Sequence, residues 1–188
     1  VTTHVKNTGR CRELLVEGAT VYLEDFTDRM GTRKLSYSLI GVKKRCDDGR
    51  VLMINMDSQA PNKVVAEALE DGKILLPDMD ELEIIKGEAK KGNSRLDFYI
   101  RDVNGREGYI EVKGVTLENN KIVSFPDAPT LRGIKHLNEL SALAGEGYNA
   151  YVIFVVQMEG VEEFRPDEER HYDFAQALRN SKKCGVNV

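Results

Sequence analysis

Long hydrophobic runs are missing from this 188-residue sequence; the longest purely apolar stretch, residues 150–156, is only seven residues. An α-helix needs ~20 apolar residues to cross a bilayer, so no membrane partner is expected. Cysteine is scarce: Cys11, Cys46 and Cys184 are odd in number and scattered, which excludes both a disulfide framework and paired CxxC metal spacing. A basic excess is absent too. Lys and Arg total 27 against 31 Asp and Glu, for a net charge of -4 and a pI near 5.5. A globally basic nucleic-acid coat is thereby ruled out, and any anion binding must come from a local patch. Gly (16) and Pro (5) are too few, and the hydrophobic share of 41% too large, for a disordered or collagen-like chain. Neither GxxxxGK(S/T) nor GxGxxG occurs, which argues against nucleotide cofactors. GxSxG and a Cys/His pair for acyl transfer are likewise missing. No hydrophobic leader opens the sequence, and the expectation is a folded cytoplasmic protein. Its start at Val1 and its stop at residues 185–188 both fall in strand-like sequence, so a longer protein extending at both ends is expected.

What is present falls into two patterns. Residues 1–57 read as β-rich, with short apolar runs at 19–23, 35–43 and 51–56 and a hairpin turn at Asp47-Asp48-Gly49. This suggests a small barrel or sandwich. The period changes within residues 57–61, which sets the expected domains at 1–57 and 58–188. Val64, Val65, Ala68 and Leu69 fall on one helical face, with Pro61 in the first turn and Gly72 as C-terminal cap. Strands follow at 82–86, 95–101 and 108–117, the last two joined around Asn104-Gly105. A long helix over 130–144 has Leu131, Ile134, Leu137, Leu140 and Leu143 spaced to pack inward. Residues 148–156 read as a strand covered on both faces, and a last helix spans 173–182. The fold class is α/β (mixed α+β): a β-rich N-terminal part, then a mixed sheet flanked by helices.

The sharpest chemical signal lies in the hairpin. Asp97 stands on one strand and Glu111 and Lys113 on the next, in strands that are otherwise apolar. Charge inside such strands is costly unless paired or bound to a metal. Glu111 and Lys113, two apart, project from the same face. A two-residue turn at Asn104-Gly105 would place Asp97 opposite Val112; a three-residue loop or a bulge places it opposite Glu111. The odd register is the one expected, because bulges re-aim side chains beside active sites. Two converging carboxylates suit a hard divalent cation, Mg²⁺ or Mn²⁺, held through oxygen and water. Such an ion with the Lys113 ammonium suits phosphodiester hydrolysis. The alternative is an exposed sheet edge where the three form a surface ion pair worth ~0–1 kcal/mol.

The pattern Asp-x13-Glu-x-Lys, preceded by a helix carrying Glu67 and followed by a long helix, resembles the PD-(D/E)xK nuclease superfamily. Here the leading element reads Arg95-Leu96-Asp97, without the Pro. More segments match in order: His4-Val5-Lys6-Asn7-Thr8-Gly9, Ser94-Arg95-Leu96-Asp97, Glu111-Val112-Lys113-Gly114-Val115-Thr116-Leu117, residues 125–137 (FPDAPTLRGIKHL) and Phe154-Val155-Val156-Gln157. Over nearly its whole length the chain is similar to the sugar fermentation stimulation protein A (SfsA) family, departing from it at Arg10-Cys11. The resemblance implies an OB-like barrel, a restriction-endonuclease-like domain and DNA binding. Carried over by motif, Asp97 and Glu111 would be metal ligands, Lys113 the catalytic lysine and Glu67 the helical glutamate that completes such sites. Gln157 matches a polar residue sometimes found beside them.

Arg132, Lys135 and His136 share a helical face by spacing, and with Arg95 they are the candidates for phosphate contact in an acidic protein. His136 has an alternative reading as a packed, hydrogen-bonded histidine. Further basic clusters lie at Lys6, Arg10 and Arg12, at Arg33-Lys34, at Lys43-Lys44-Arg45 and at Lys90-Lys91. Tyr22, Phe26 and Tyr37 are the few aromatics beside them for base stacking. His4 and His171 receive no role. Two functions compete: a Mg²⁺-dependent nuclease acting on DNA or another nucleic acid, and a non-cleaving DNA-binding regulator of sugar metabolism built on the same scaffold. A protein-interaction domain with a structural ion pair is the third option. The sequence leaves the oligomeric state open, a homodimer included.

Overall fold

The computed structural model describes residues 1–7, 9, 11–91 and 94–188, excluding the side chain of Ser94. The chain folds into two compact units. The first comprises Val1–Ala60, Gly114–Ala128 and Val156–Arg165; the second comprises Pro61–Lys113, Pro129–Val155 and Pro166–Val188.

In the first unit, β3 (Tyr37–Arg45) is the strand on which the others assemble. β1 (His4–Val5) pairs with it in parallel, while β2 (Thr20–Asp25) and β4 (Val51–Asn55) run antiparallel to it. The predicted turn closes the β3–β4 hairpin: Gly49 takes φ +82°, and Asp48 Oδ1 accepts the Arg50 N–H at 3.0 Å. Along β4 burial alternates, with Leu52 and Ile54 inward and Val51 and Met53 outward, as period-2 geometry demands. Three short strands unseen by the sequence reading, β8 (Leu117–Asn119), β9 (Ile122–Phe125) and β11 (Glu163–Pro166), form a second sheet. Glu118 on β8 is buried and fully engaged, by Lys44 at 2.6 Å, Arg50 at 3.0 Å and the Lys121 N–H at 2.7 Å. A buried charge with this many partners is tolerated.

The second unit holds a four-stranded sheet in the order β10-β7-β6-β5. Its strands are β5 (Leu82–Lys91), β6 (Ser94–Asp102), β7 (Glu107–Val115) and β10 (Asn149–Val156). β5, β6 and β7 are antiparallel neighbours, and an isolated parallel bridge joins Tyr151 of β10 to Asn187. Helix α1 (Ala60–Glu70) lends Val65 and Leu69 to a core with Phe98, Ile100, Ile110, Val112 and Tyr151. Val64, expected on this face, is instead 52% exposed. α2 (Leu131–Gly145) is capped by Thr130, whose Oγ1 accepts the Gly133 N–H at 2.9 Å. Its buried face is Gly133, His136, Leu137, Leu140 and Leu143; Leu131, expected inward, is 80% exposed in the first turn. Gly133 permits a close approach, since a Cβ there would stand 3.0 Å from the Phe174 ring. α3 (Glu168–Lys183) begins earlier than the predicted 173 because a short first turn is kinked onto the main helix at His171. There His171 Nδ1 accepts the Thr130 N–H at 3.2 Å.

The hairpin between β6 and β7 decides the register that matters. The pairs are Phe98–Ile110, Tyr99–Tyr109, Ile100–Gly108 and Arg101–Glu107. The Asp102 N–H donates to Arg106 O at 3.0 Å, leaving Val103, Asn104 and Gly105 as a three-residue loop with Gly105 at φ +79°. Continued by one step, this register sets Asp97 across from Glu111, as anticipated.

Candidate metal centre

The sheet's central pair of strands and two helices supply the polar groups. Glu111 on β7 is only 4% exposed. Its Oε1 accepts from Lys113 Nζ at 2.5 Å and from His136 Nδ1 of α2. Arg132 Nε approaches the other ring nitrogen, Nε2, at 3.5 Å, while Nδ1 faces the carboxylate. The other Glu111 oxygen, Oε2, is buried and has no hydrogen-bond partner among the described residues.

Asp97, half-buried on β6, is held from two directions. Asn62 Nδ2 on α1 donates to Oδ1 at 2.8 Å, and the Val112 N–H donates to Oδ2 at 2.7 Å. Burial pushes its carboxyl above the usual range and the Glu111 charge pushes it further, against the two donated bonds. Burial pushes Glu111 upward as well, but the bonds and charges of His136 and Lys113 outweigh it and hold Glu111 below the usual range. Two neighbouring acids whose environments drive them apart are an arrangement typical of working sites.

An unpartnered buried acceptor costs about 1–3 kcal/mol, and more when it carries charge. A structural ion pair would have no reason to leave Glu111 Oε2 bare, whereas a hard cation takes such an oxygen as a ligand. The residues present therefore fit a divalent ion held by Asp97 and Glu111, with water completing its shell. Among the described residues no group of three or more His, Cys, Asp and Glu is arranged to hold a metal ion.

The other candidates fall as follows. Glu67 is exposed on α1 and makes no hydrogen bond or ion pair with Asp97, Glu111 or Lys113 among the described residues. Arg132 and Lys135 are exposed on α2, Lys135 lying 3.4 Å from Glu139. His136 is buried against Glu111 rather than sharing their open face. Arg95 is exposed and ion-paired with Glu88. Gln157 lies in the first unit, its Nε2 donating to Asn55 O at 2.8 Å. Of the basic clusters, Lys6 is bound to Asp57, Lys44 to Glu118, Arg33 stacks on Phe26 and Lys91 on Tyr148. Arg10 lies outside the described residues. Asn62 was overlooked, although a signal existed: at three and seven residues before Val65 and Leu69 it shares their inward face.

Residues 59–188 match the family model described as "Sugar fermentation stimulation protein RE domain", and residues 1–54 match "SfsA N-terminal OB domain". A sugar fermentation stimulation protein homolog of Clostridium beijerinckii is 51% identical over 185 residues, covering 98% of this chain and 76% of the relative. The homolog of Desulfitobacterium hafniense (strain Y51) is 50% identical over 187 residues, covering 98% and 75%. Among solved structures, Pyrococcus furiosus SfsA in complex with Ca²⁺ superposes with a TM-score of 0.83 at 28% identity, over 98% of this chain and 74% of that one. The N-terminal part is thus an OB domain, and the mixed α+β architecture expected from the sequence is the one found.

Proposed function

The chain belongs to the sugar fermentation stimulation protein family, and from that premise we propose that it binds DNA and carries a divalent-metal phosphodiesterase centre on Asp97, Glu111 and Lys113. The observation that carries this reading is the bare, buried Oε2 of Glu111. A family structure holding Ca²⁺, a hard oxygen-seeking ion, supports it. A bound divalent ion would stabilise charge on a phosphoryl group and acidify a water.

The chain's own residues do the rest. Asn62 and the Val112 N–H hold Asp97 as a fixed carboxylate. His136 fixes Glu111 through Oε1, leaving Oε2 for the ion. Lys113 keeps an ammonium 2.5 Å from Glu111, where it can orient a water or neutralise a developing oxyanion. Arg132 and Lys135 put positive charge on the open side of the helix that carries His136, the local patch that a chain of net charge -4 needs. Glu67 and Arg95 remain candidates for contacts with a nucleic acid and its metal.

The closed Glu111–Lys113 pair favours a second reading, because a lysine neutralised by its neighbour suits a scaffold that binds DNA as a regulator without cutting it. Incubation of the protein with single- and double-stranded DNA and RNA, plus Mg²⁺ or Mn²⁺, separates the two. Cleavage by the wild type that Lys113→Ala lacks establishes the phosphodiesterase. Binding without cleavage by either protein establishes the regulator.

A further inference from the structure

Asn62 occupies a place where the family resemblance had pointed to an acid. Of the polar residues on α1, Asn62 reaches Asp97, and it does so with an amide N–H at 2.8 Å. Glu67, on the same helix, points to solvent. This difference has a chemical consequence. Asp97 already stands beside the Glu111 charge and is partly desolvated. A carboxylate at position 62 would add a third negative charge and take away a donor. An amide does the opposite: it donates to Oδ1 and locks the carboxylate's rotamer.

The second donor on Asp97 is a backbone N–H, Val112, whose position the β7 strand dictates. Asp97 is therefore clamped between a strand and a helix, one bond to each oxygen, and each oxygen keeps a lone pair free. Glu111 is held by the same logic through a different helix, by His136 of α2. We infer that Asn62 is a positioning residue, which acts through Asp97 to present a carboxylate oxygen to the divalent ion without itself ligating it. This rests on the metal-centre reading above.

Mn²⁺ is the probe. Its affinity is measured by calorimetry, and the number of waters on the bound ion by water-proton relaxation, for wild type, Asn62→Leu, Asn62→Asp and Asp97→Ala. Positioning partners of metal ligands are worth about 10–100-fold in affinity. Both Asn62 variants are expected to lose that much and to show a more hydrated bound Mn²⁺, moving towards Asp97→Ala. Thermal unfolding in EDTA checks that each variant is folded; Asn62→Asp preserves the side-chain shape should leucine disturb α1. Asn62→Leu binding as the wild type does, with the same hydration, overturns the inference. So does tighter binding by Asn62→Asp, which would make position 62 a ligand. A wild type that takes up no Mn²⁺ removes the metal-centre reading itself, an outcome separate from both.

Discussion

The backbone N–H of Val112 donates to the Asp97 carboxylate at 2.7 Å. Regular pairing of β6 with β7 ends at Phe98–Ile110. By the alternation of an antiparallel ladder, Val112 is the next residue of β7 whose N–H faces β6. A side chain has taken the bond that a carbonyl would have accepted. The site therefore begins where the ladder stops, and Asp97 is fixed by the same strand that carries Glu111 and Lys113.

The register that allows this is set at the far end of the hairpin. Asp102 is buried and accepts from the N–H groups of Asn104 and Arg106 at 2.9 Å each, from Arg106 Nε at 2.7 Å and from the Asp80 N–H at 3.1 Å. Burial alone would raise its pKa, but these bonds lower it to about 2 from 3.8. A carboxyl whose folded pKa is depressed contributes stability above its unfolded value, and that contribution is lost as pH falls through the folded one. Asp102→Asn should be less stable at neutral pH, and it should lose less further stability than the wild type as pH falls from about 4 to about 2. Denaturant unfolding at pH 7, 4, 3 and 2 tests this; parallel acid limbs for the two proteins would refute it.

Gly133 sets helix propensity against packing. Alanine in a helix interior is favoured over glycine by about 1 kcal/mol. A Cβ at this position would lie 2.8 Å from Thr130 Cγ2 and 3.0 Å from the Phe174 ring. Overpacking of this kind costs about 1–3 kcal/mol. Gly133→Ala should therefore destabilise the protein by about 1 kcal/mol net, read as a lower denaturant midpoint at unchanged slope. A raised midpoint would mean that α2 and α3 can move apart freely.

Lys135 is exposed on α2, with one salt-bridge neighbour at 3.4 Å that solvent screens. If α2 contacts a phosphate backbone, Lys135→Ala should weaken DNA binding at all sequences alike. The slope of log affinity against log salt should fall by about 0.9 for duplex DNA, the release of one counterion. Titrations at four salt concentrations measure it. An unchanged slope would remove Lys135 from the interface.

Much of the hairpin was legible beforehand. The charges at Asp97, Glu111 and Lys113 stand out in strands of β-branched and aromatic residues, and the Asn104-Gly105 signal located the turn. The three-residue loop followed from requiring the acids to meet, and the structure has it. His136 illustrates the limit of such reading. Its spacing from Arg132 and Lys135 was correct, yet a helix of 3.6 residues per turn spreads positions three and four apart over a broad arc. One edge of that arc faces Glu111 and the other faces water. Leu131 errs in the opposite sense: its spacing reads as apolar and inward, but it is 80% exposed in the first turn of α2, where Gly133 is the buried residue.

From the residues alone came the element types, the two patterns of periodicity and the identity of the charged trio, because local propensity and alternation are properties of consecutive residues. Spacing puts Asn62 on the inward face of α1, but tertiary structure alone decided that this face brings it to Asp97, that His136 turns inward, and that β8, β9 and β11 join the N-terminal strands in one compact unit. Those outcomes depend on which helix face meets which strand. That is fixed by packing between segments far apart in the chain, where the burial of one oxygen, Glu111 Oε2, can only be seen once every neighbour is in place.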